Sequence, residues 1–108
     1  MIPGKPVRGS RTGRPIMVLL DLFGRRWSLR ILWELRSGSA MTSRALRDVC
    51  DDISPTVLNT RLRELREAGF VALERPGGFR LTPVGLEMQQ LFQALYLFAD
   101  RWAAGLST

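Results

Sequence analysis

A sharply bounded amphipathic helix is the strongest structural signal in this chain. Ser54 can cap the helix because its hydroxyl accepts a hydrogen bond from an exposed amide of the first turn, and Pro55 fits the first helical position because its missing N–H has no partner there. Gly69 supplies the C-terminal stop. Three leucines share one face of the segment: Leu58, Leu62 and Leu65. The sequence therefore predicts a helix over residues 55–68 with one buried and one outward face.

Short elements on either side of this helix complete a specific order. Thr42 can cap a preceding helix that runs to about Cys50, and two aspartates then form a polar turn. On the other side, residues 70–74 and 79–81 alternate as two short strands around a Pro-Gly-Gly turn. This is the order of a helix-turn-helix followed by a β-wing. Binding of double-stranded DNA is therefore the leading hypothesis.

The outward face of the helix over 55–68 carries hydrogen-bonding side chains. At 100° per residue, the side chains predicted to contact bases project from one side: Thr56, Asn59, Thr60 and Arg63. Thr and Asn are poor helix formers, so their presence here favours a binding role over an ordinary solvated surface. Arg63 suits a guanine and Asn59 an adenine, while the two threonines suit a thymine methyl group or a phosphate.

The charge of the chain favours a polyanionic partner. Sixteen Lys and Arg against ten Asp and Glu give a formal net charge of +6, and Lys5 is the only lysine. Arginine suits bidentate contacts with phosphate and guanine, although a solvated, Arg-rich surface would have the same composition. Contacts with the DNA backbone are predicted for the following side chains: Arg25, Arg26, Thr42, Ser43, Arg44, Ser54, Arg75 and Arg80.

Several functional classes are disfavoured by composition. The chain has no His, so a His-based proton shuttle, a Ser-His-Asp triad and the common zinc sites are excluded. We therefore predict no catalytic residues, no metal, no cofactor and no enzymatic activity. Cys50 is the only cysteine and is expected to be a buried structural thiol. No apolar run has membrane-spanning length and no secretory signal is visible, so a cytoplasmic protein without membrane association is expected.

The chain is predicted to divide into a short arm and one domain. Residues 1–14 contain several Gly, Pro and cationic residues but no acid, which predicts a flexible basic arm. Such an arm can reach along DNA or remain merely solvated. Residues 15–108 are predicted to form a single winged helix-turn-helix domain, mostly α with a small β-hairpin.

Apolar helices are predicted at both ends of this domain. Pro15 opens the first, which Gly24 interrupts; a second covers about 27–36, and Thr82 opens a last helix that extends to about Ala104. The apolar side of the last helix is wider than one wall of a small core needs, which favours a homodimer through the terminal helices. The alternative is that the first helix covers it completely. The predicted dimer interface is Met17, Leu20, Leu91, Leu95, Phe98 and Trp102.

Several segments occur in an order that is similar to a known family. They are Phe-Gly-Arg-Arg-Trp at 23–27, Ile-Ser-Pro at 53–55, Arg-Leu-Arg-Glu-Leu at 61–65, Ala-Gly-Phe-Val at 68–71 and Leu-Thr-Pro-Val-Gly at 81–85. Together they resemble the HxlR family of bacterial winged-helix regulators, relatives of the MarR group. The resemblance implies a homodimer, a recognition helix starting at Ser54, a hairpin wing and control of transcription. It also implies that Arg26 and Trp27 lie where the second helix approaches the DNA backbone.

Two functional hypotheses follow. The first is a dimeric regulator whose recognition helices enter successive major grooves of a palindromic operator, about 34 Å apart. The second is a winged-helix module that binds another protein through its last helix, without specific DNA binding. An apolar pocket near Trp33, Phe92, Phe98 or Trp102 can also hold a small-molecule effector, which the sequence does not identify. Thiol sensing is not expected. Many redox-sensing members of the family that this chain resembles carry a cysteine just before the first helix, where this chain has Ser10 and Thr12.

Overall fold

The computed structural model describes residues 3–107, which form five helices and one β-hairpin. The elements are, in chain order, α1 (Pro15–Phe23), α2 (Ser28–Glu34), α3 (Ser43–Val49), α4 (Pro55–Glu67), β1 (Val71–Glu74), β2 (Gly78–Leu81) and α5 (Pro83–Leu106). The prediction of a mostly α fold with one small hairpin is confirmed.

Hydroxyl caps define where three of the helices begin. Thr42, Ser54 and Thr82 each accept a hydrogen bond from the backbone N–H three residues further on, at 3.1, 3.1 and 3.0 Å. Proline occupies the first turn of both α4 and α5, where no backbone donor is needed. Each cap of this kind stabilises a helix by about 1 kcal/mol. The start of α4 is thus determined locally, as the sequence predicts.

The end of α4 is equally well defined and leads directly into the hairpin. Gly69 has a φ of +88°, in the left-handed region that glycine adopts at no cost. The N–H of Phe70 donates to the carbonyl of Leu65 at 3.0 Å, and that of Gly69 to Arg66 at 3.0 Å. This pair of bonds is a Schellman motif, which satisfies carbonyls at the end of the helix. It explains why β1 starts at Val71 rather than at the predicted residue 70.

One apolar core holds the helices and the hairpin together. The three leucines predicted for the inner face of α4, Leu58, Leu62 and Leu65, are fully buried. Further members of the core come from the other elements: Leu22, Phe23, Ile31, Leu32, Leu35, Leu46, Cys50, Ile53, Phe70, Val71 and Leu81. Phe23 lies at the centre of an aromatic chain, with ring centroids 5.6 Å from Phe70 and 5.5 Å from Phe92. The core therefore joins α1, the hairpin and the first half of α5.

The wing is larger than the two strands predicted for it. β1 and β2 pair antiparallel from Val71 opposite Leu81 to Glu74 opposite Gly78. Met41, just before α3, adds a bridge to Phe79, with backbone hydrogen bonds of 2.8 and 2.7 Å in the two directions. Gly78 permits this close approach, because a Cβ there would lie 2.3 Å from the carbonyl oxygen of Met41. The hairpin is thereby tied to the start of α3.

The second helix is shorter than the predicted range of 27–36. Trp27 has a φ of +79°, outside the helical region, so α2 starts only at Ser28. At the other end, Leu35 leaves helical geometry and caps the helix. The last helix runs to Leu106, two residues beyond the predicted end.

The segment before α1 is folded back on itself. Gly4 donates its N–H to the carbonyl of Gly13 at 2.9 Å, while Val7 and Ser10 exchange two backbone hydrogen bonds of 2.9 Å. The first two residues of the predicted basic arm lie outside the described residues. Its remainder, 3–14, consists of hydrogen-bonded turns, and flexibility of the arm in solution stays a prediction.

The start of α5 packs so closely on the chain below it that only glycine fits at position 85. A Cβ on Gly85 would lie 2.2 Å from the carbonyl oxygen of Phe70. We therefore expect Gly85→Ala to lower the free energy of unfolding by about 1–3 kcal/mol, as overpacking does in other cores. Chemical denaturation measures this change.

Gly105→Ala is the matched control on the same helix. Among residues 3–107, a Cβ at Gly105 would meet no heavy atom within 4 Å beyond its own stretch of helix, so the alanine variant should be neutral or up to about 1 kcal/mol more stable. A Gly85→Ala protein as stable as the wild type would contradict the packing described here.

Candidate nucleic-acid interface

The outward face of α4 is uncovered by the rest of the chain. Thr56, Asn59 and Arg63 are exposed, and Thr60 is half-buried. All four project from the side opposite the buried leucines, as predicted. The structure thus places the proposed base-reading side chains together on one accessible surface. Their contact with bases stays a prediction.

Two of these side chains make interactions within α4. The hydroxyl of Thr60 donates to the carbonyl of Thr56 at 2.9 Å, which uses its proton and leaves its oxygen as an acceptor. Arg63 pairs with Glu67 at 4.0 Å, and their side chains are 65% and 64% exposed. An exposed pair of this kind contributes only about 0–1 kcal/mol, so it does not hold Arg63 back from another partner.

The start of α3 and the hairpin border a common depression. An open cavity of about 420 Å³ is lined by Thr42 and Ser43 from the start of α3, and by hairpin residues that include Arg75. Arg44 and Arg75 are exposed. The structure therefore brings together residues that are predicted to contact the DNA backbone and that lie more than thirty positions apart in sequence.

Arg80 is less free than the other hairpin arginine. Its guanidinium forms an ion pair with Glu74 on the opposite strand. The Nε atom of Arg80 is buried without a hydrogen-bond partner among the described residues. Of the two arginines predicted at the wing, Arg75 is the exposed one.

The two neighbouring arginines before α2 have different surroundings. Arg26 is exposed, and its guanidinium carbon lies 5.5 Å from the centroid of the Trp27 ring. Arg25 instead points into the molecule, where it pairs with Asp21 at 3.0 Å and with Glu64 at 2.5 Å. Arg25 therefore has two internal carboxylate partners, which a phosphate contact would have to displace.

Two interacting residues of α4 are not among the sites predicted from the sequence. Glu64 accepts hydrogen bonds from Arg25 and from Arg61, the second at 3.0 Å. Arg61 also donates from Nε to the carbonyl of Arg26 at 2.7 Å. The spacing of Arg61 and Glu64 indicates a possible pair within the helix. The contact of Glu64 with Arg25 and that of Arg61 with Arg26 join residues more than thirty positions apart, so no local sequence pattern predicts them.

A second surface is apolar and lies on the terminal helices. Leu20 on α1 and four residues on α5 are exposed, with Leu91 at 70% and Trp102 at 59%. The other exposed α5 positions of the predicted dimer interface are Leu95 and Phe98, whereas Met17 is half-buried. The alternative in which the first helix covers the whole apolar side of the last one is therefore wrong.

The aromatic residues considered for an effector pocket do not come together. Phe92 packs into the core between Phe23 and Tyr96. Phe98 and Trp102 lie on the exposed apolar surface instead. A separate open cavity of about 340 Å³ is lined by Trp33, Arg36, Gln89, Gln93, Tyr96, Leu97 and Asp100.

Cys50 is an internal residue of the core. Its exposed fraction is 1%, and burial raises the pKa of its thiol. The prediction of a buried thiol is confirmed. A protonated, covered thiol is a poor nucleophile, so its position is that of a small apolar core residue.

Metal-ligating clusters and membrane-spanning helices are both absent from residues 3–107. In this range, no three Cys, Asp or Glu side chains are grouped closely enough to hold a metal ion. Within the same limits, none of the helices has both the length and the apolar character needed to cross a membrane.

Comparisons with known proteins agree with this fold. An HxlR-like helix-turn-helix family model matches residues 22–106. An uncharacterised helix-turn-helix transcriptional regulator of Synechocystis is 29% identical over 94 residues, which cover 82% of this chain and 69% of the relative. The quinone-bound structure of YodB from B. subtilis has a TM-score of 0.73 and 26% identity, covering 81% of this chain and 96% of YodB.

A further solved structure supports the same architecture. A possible HxlR family transcriptional factor from Thermoplasma volcanium superposes with a TM-score of 0.71 and 22% identity, over 80% of this chain and 82% of the other, which shows a shared fold. The winged helix-turn-helix prediction is confirmed by these neighbours. The chain belongs to the HxlR-like helix-turn-helix family of DNA-binding transcriptional regulators.

Proposed function

We propose that this protein regulates transcription as a homodimer that binds a palindromic operator in double-stranded DNA. In this proposal α4 is the recognition helix and lies in the major groove. The observation that carries it is the uncovered outward face of α4, where Thr56, Asn59 and Arg63 are exposed on the side opposite three fully buried leucines. The major groove is wide enough for such a helix and presents a distinct donor and acceptor pattern for each base pair.

Base reading is assigned to the longer side chains of this face. Arg63 can bind O6 and N7 of a guanine through two parallel hydrogen bonds, and Asn59 can bind N6 and N7 of an adenine. Each such contact contributes about 1–3 kcal/mol of discrimination. Thr56 and Thr60 are assigned to a thymine methyl group or a phosphate, because Thr60 already donates its proton within the helix.

Backbone binding is assigned to groups around the edge of α4. The exposed cations are Arg26, Arg44 and Arg75, and the partly exposed Arg80 can join them from the wing. Polar and aromatic groups predicted to approach the same phosphates are Trp27, Thr42, Ser43 and Ser54. Arg25 is left out of this set because of its ion pairs with Asp21 and Glu64.

The apolar surface of the terminal helices is assigned to a second copy of the chain. On α5, Leu91, Leu95, Phe98 and Trp102 recur at helical spacing and are all exposed. A two-fold dimer buries the same patch on both subunits and repeats the recognition helix with opposite polarity. That symmetry matches a palindromic operator. We assign the binding to the cytoplasm, where bacterial operator DNA lies.

Two arginine variants separate base reading from backbone binding. Arg63→Ala should lose about 1–3 kcal/mol on the operator and little on random DNA, because it removes a sequence-dependent contact. Arg26→Ala should weaken all duplexes alike and lower the slope of log affinity against log salt by about one unit. Salt titrations of both variants on operator and random duplexes measure this. Equal losses on the two DNAs for both variants would contradict the assignment.

The dimer is tested by placing a charge on the apolar surface. Leu95→Glu should give a monomer, because an unpaired carboxylate would be buried in the interface while Glu still favours the helix. Leu97→Glu is the control, since Leu97 is 60% exposed on the same helix but lies off this stripe. Sedimentation equilibrium reports the mass.

Sedimentation equilibrium, together with purification and DNA-binding assays of the same proteins, separates three outcomes. A dimeric wild type and Leu97→Glu variant with a monomeric Leu95→Glu variant support the proposed interface. A wild-type monomer at concentrations that occupy the operator would contradict the homodimer. Specific co-purification of another protein, with no specific DNA binding, would favour the protein-interaction module instead.

A further inference from the structure

An ion-pair cluster joins the recognition helix to the junction of α1 and α2. Glu64 on α4 lies 2.5 Å from Nη1 of Arg25 and 3.0 Å from Nη1 of Arg61. Asp21, near the end of α1, lies 3.0 Å from the other terminal nitrogen of Arg25. Two carboxylates thus face two guanidiniums, and the largely exposed Arg8 lies 3.8 Å from Asp21 at the outer edge of the cluster.

The cluster is shielded more than the other ion pairs of α4. Its four side chains are between 14% and 31% exposed, against 64–65% for Arg63 and Glu67 one turn further on. Partial burial reduces screening by water and salt, so these pairs are held more firmly than exposed ones. Arg61 is fixed further by its hydrogen bond to the carbonyl of Arg26.

The position of the cluster relates it to DNA binding. Arg61 and Glu64 flank the outward face of α4, and Arg25 directly precedes the exposed Arg26. Without the carboxylate of Glu64, Arg61 would lose its only ion-pair partner among the described residues and Arg25 would keep only Asp21. Each guanidinium would then have one internal partner fewer to be displaced by a phosphate beside the proposed interface.

We propose that Glu64 keeps Arg25 and Arg61 away from the DNA backbone and so limits the electrostatic affinity of the protein for duplex DNA. Nonspecific affinity is almost entirely electrostatic and grows with the number of phosphates that are neutralised. Withholding two cations therefore lowers the electrostatic part of the affinity, which supplies essentially all of the binding to random DNA. The inference rests on the proposed function and adds to it an acidic residue of the recognition helix that limits nonspecific binding.

The test is a salt titration of Glu64→Gln on a duplex of random sequence. The amide keeps the size of the side chain and removes its charge. We expect the slope of log affinity against log salt to steepen by about one unit for each freed arginine. Between 50 and 200 mM salt, each unit corresponds to about a four-fold larger loss of affinity. The affinity for random DNA at low salt should rise.

Glu67→Gln is the matched control for net charge. It removes the same charge from the same helix, but its partner Arg63 is already exposed, so the slope should change less than in Glu64→Gln. The double variant of Glu64→Gln with Arg25→Ala should recover about one unit of the added slope. A residue with a merely structural role would lower stability and affinity without steepening the slope.

The Arg25→Ala variant keeps the inference falsifiable if Glu64→Gln does not fold. With Glu64 in place, removal of Arg25 should leave the slope unchanged, whereas removal of a phosphate contact lowers it by about one unit. A slope that falls by one unit in Arg25→Ala would overturn this inference and leave the proposed function standing. An unchanged or shallower slope in a folded Glu64→Gln variant would do the same. A wild-type protein that binds no duplex would overturn the proposed function itself.

Discussion

Burial of one leucine face determines what α4 presents to the outside. Leu58, Leu62 and Leu65 are fully buried, and burying each such side chain contributes roughly 1.5–3 kcal/mol. A helix anchored along one stripe cannot rotate about its axis without exposing that stripe to water. Because the leucines face inward, the polar side chains of Asn59 and Arg63 face outward. The accessible recognition surface is thus a consequence of core packing.

Ion pairs and backbone contacts then attach this helix to its neighbours. The Schellman motif at Gly69 leads the chain from α4 into the hairpin, and the bridge between Met41 and Phe79 ties the hairpin to the start of α3. On the other flank, Glu64 connects α4 to Arg25 beside the end of α1. Since α1 also carries part of the apolar surface, the proposed dimer contact and the recognition helix are linked through a few short contacts.

Local signals in the sequence predicted the parts that local chemistry determines. Ser54 and Gly69 marked the ends of α4 closely, because capping depends on residues within one turn. The left-handed conformation of Trp27 was not predictable, since a tryptophan carries no signal for a positive φ. The bridge at Met41 involves a single residue pair and has no periodicity. The partners of Arg25 lie at a sequence separation of 39, beyond the reach of any spacing rule.

The central claim is that two copies of α4 are presented to two successive major grooves. Selection of bound duplexes from a random-sequence library, followed by hydroxyl-radical footprinting of the enriched sequence, tests this most directly. We expect an inverted repeat whose half-site centres are one helical turn, about 34 Å, apart, with protection on one face of the duplex. Enrichment of no sequence, or of one asymmetric site protected by a single subunit, would contradict it.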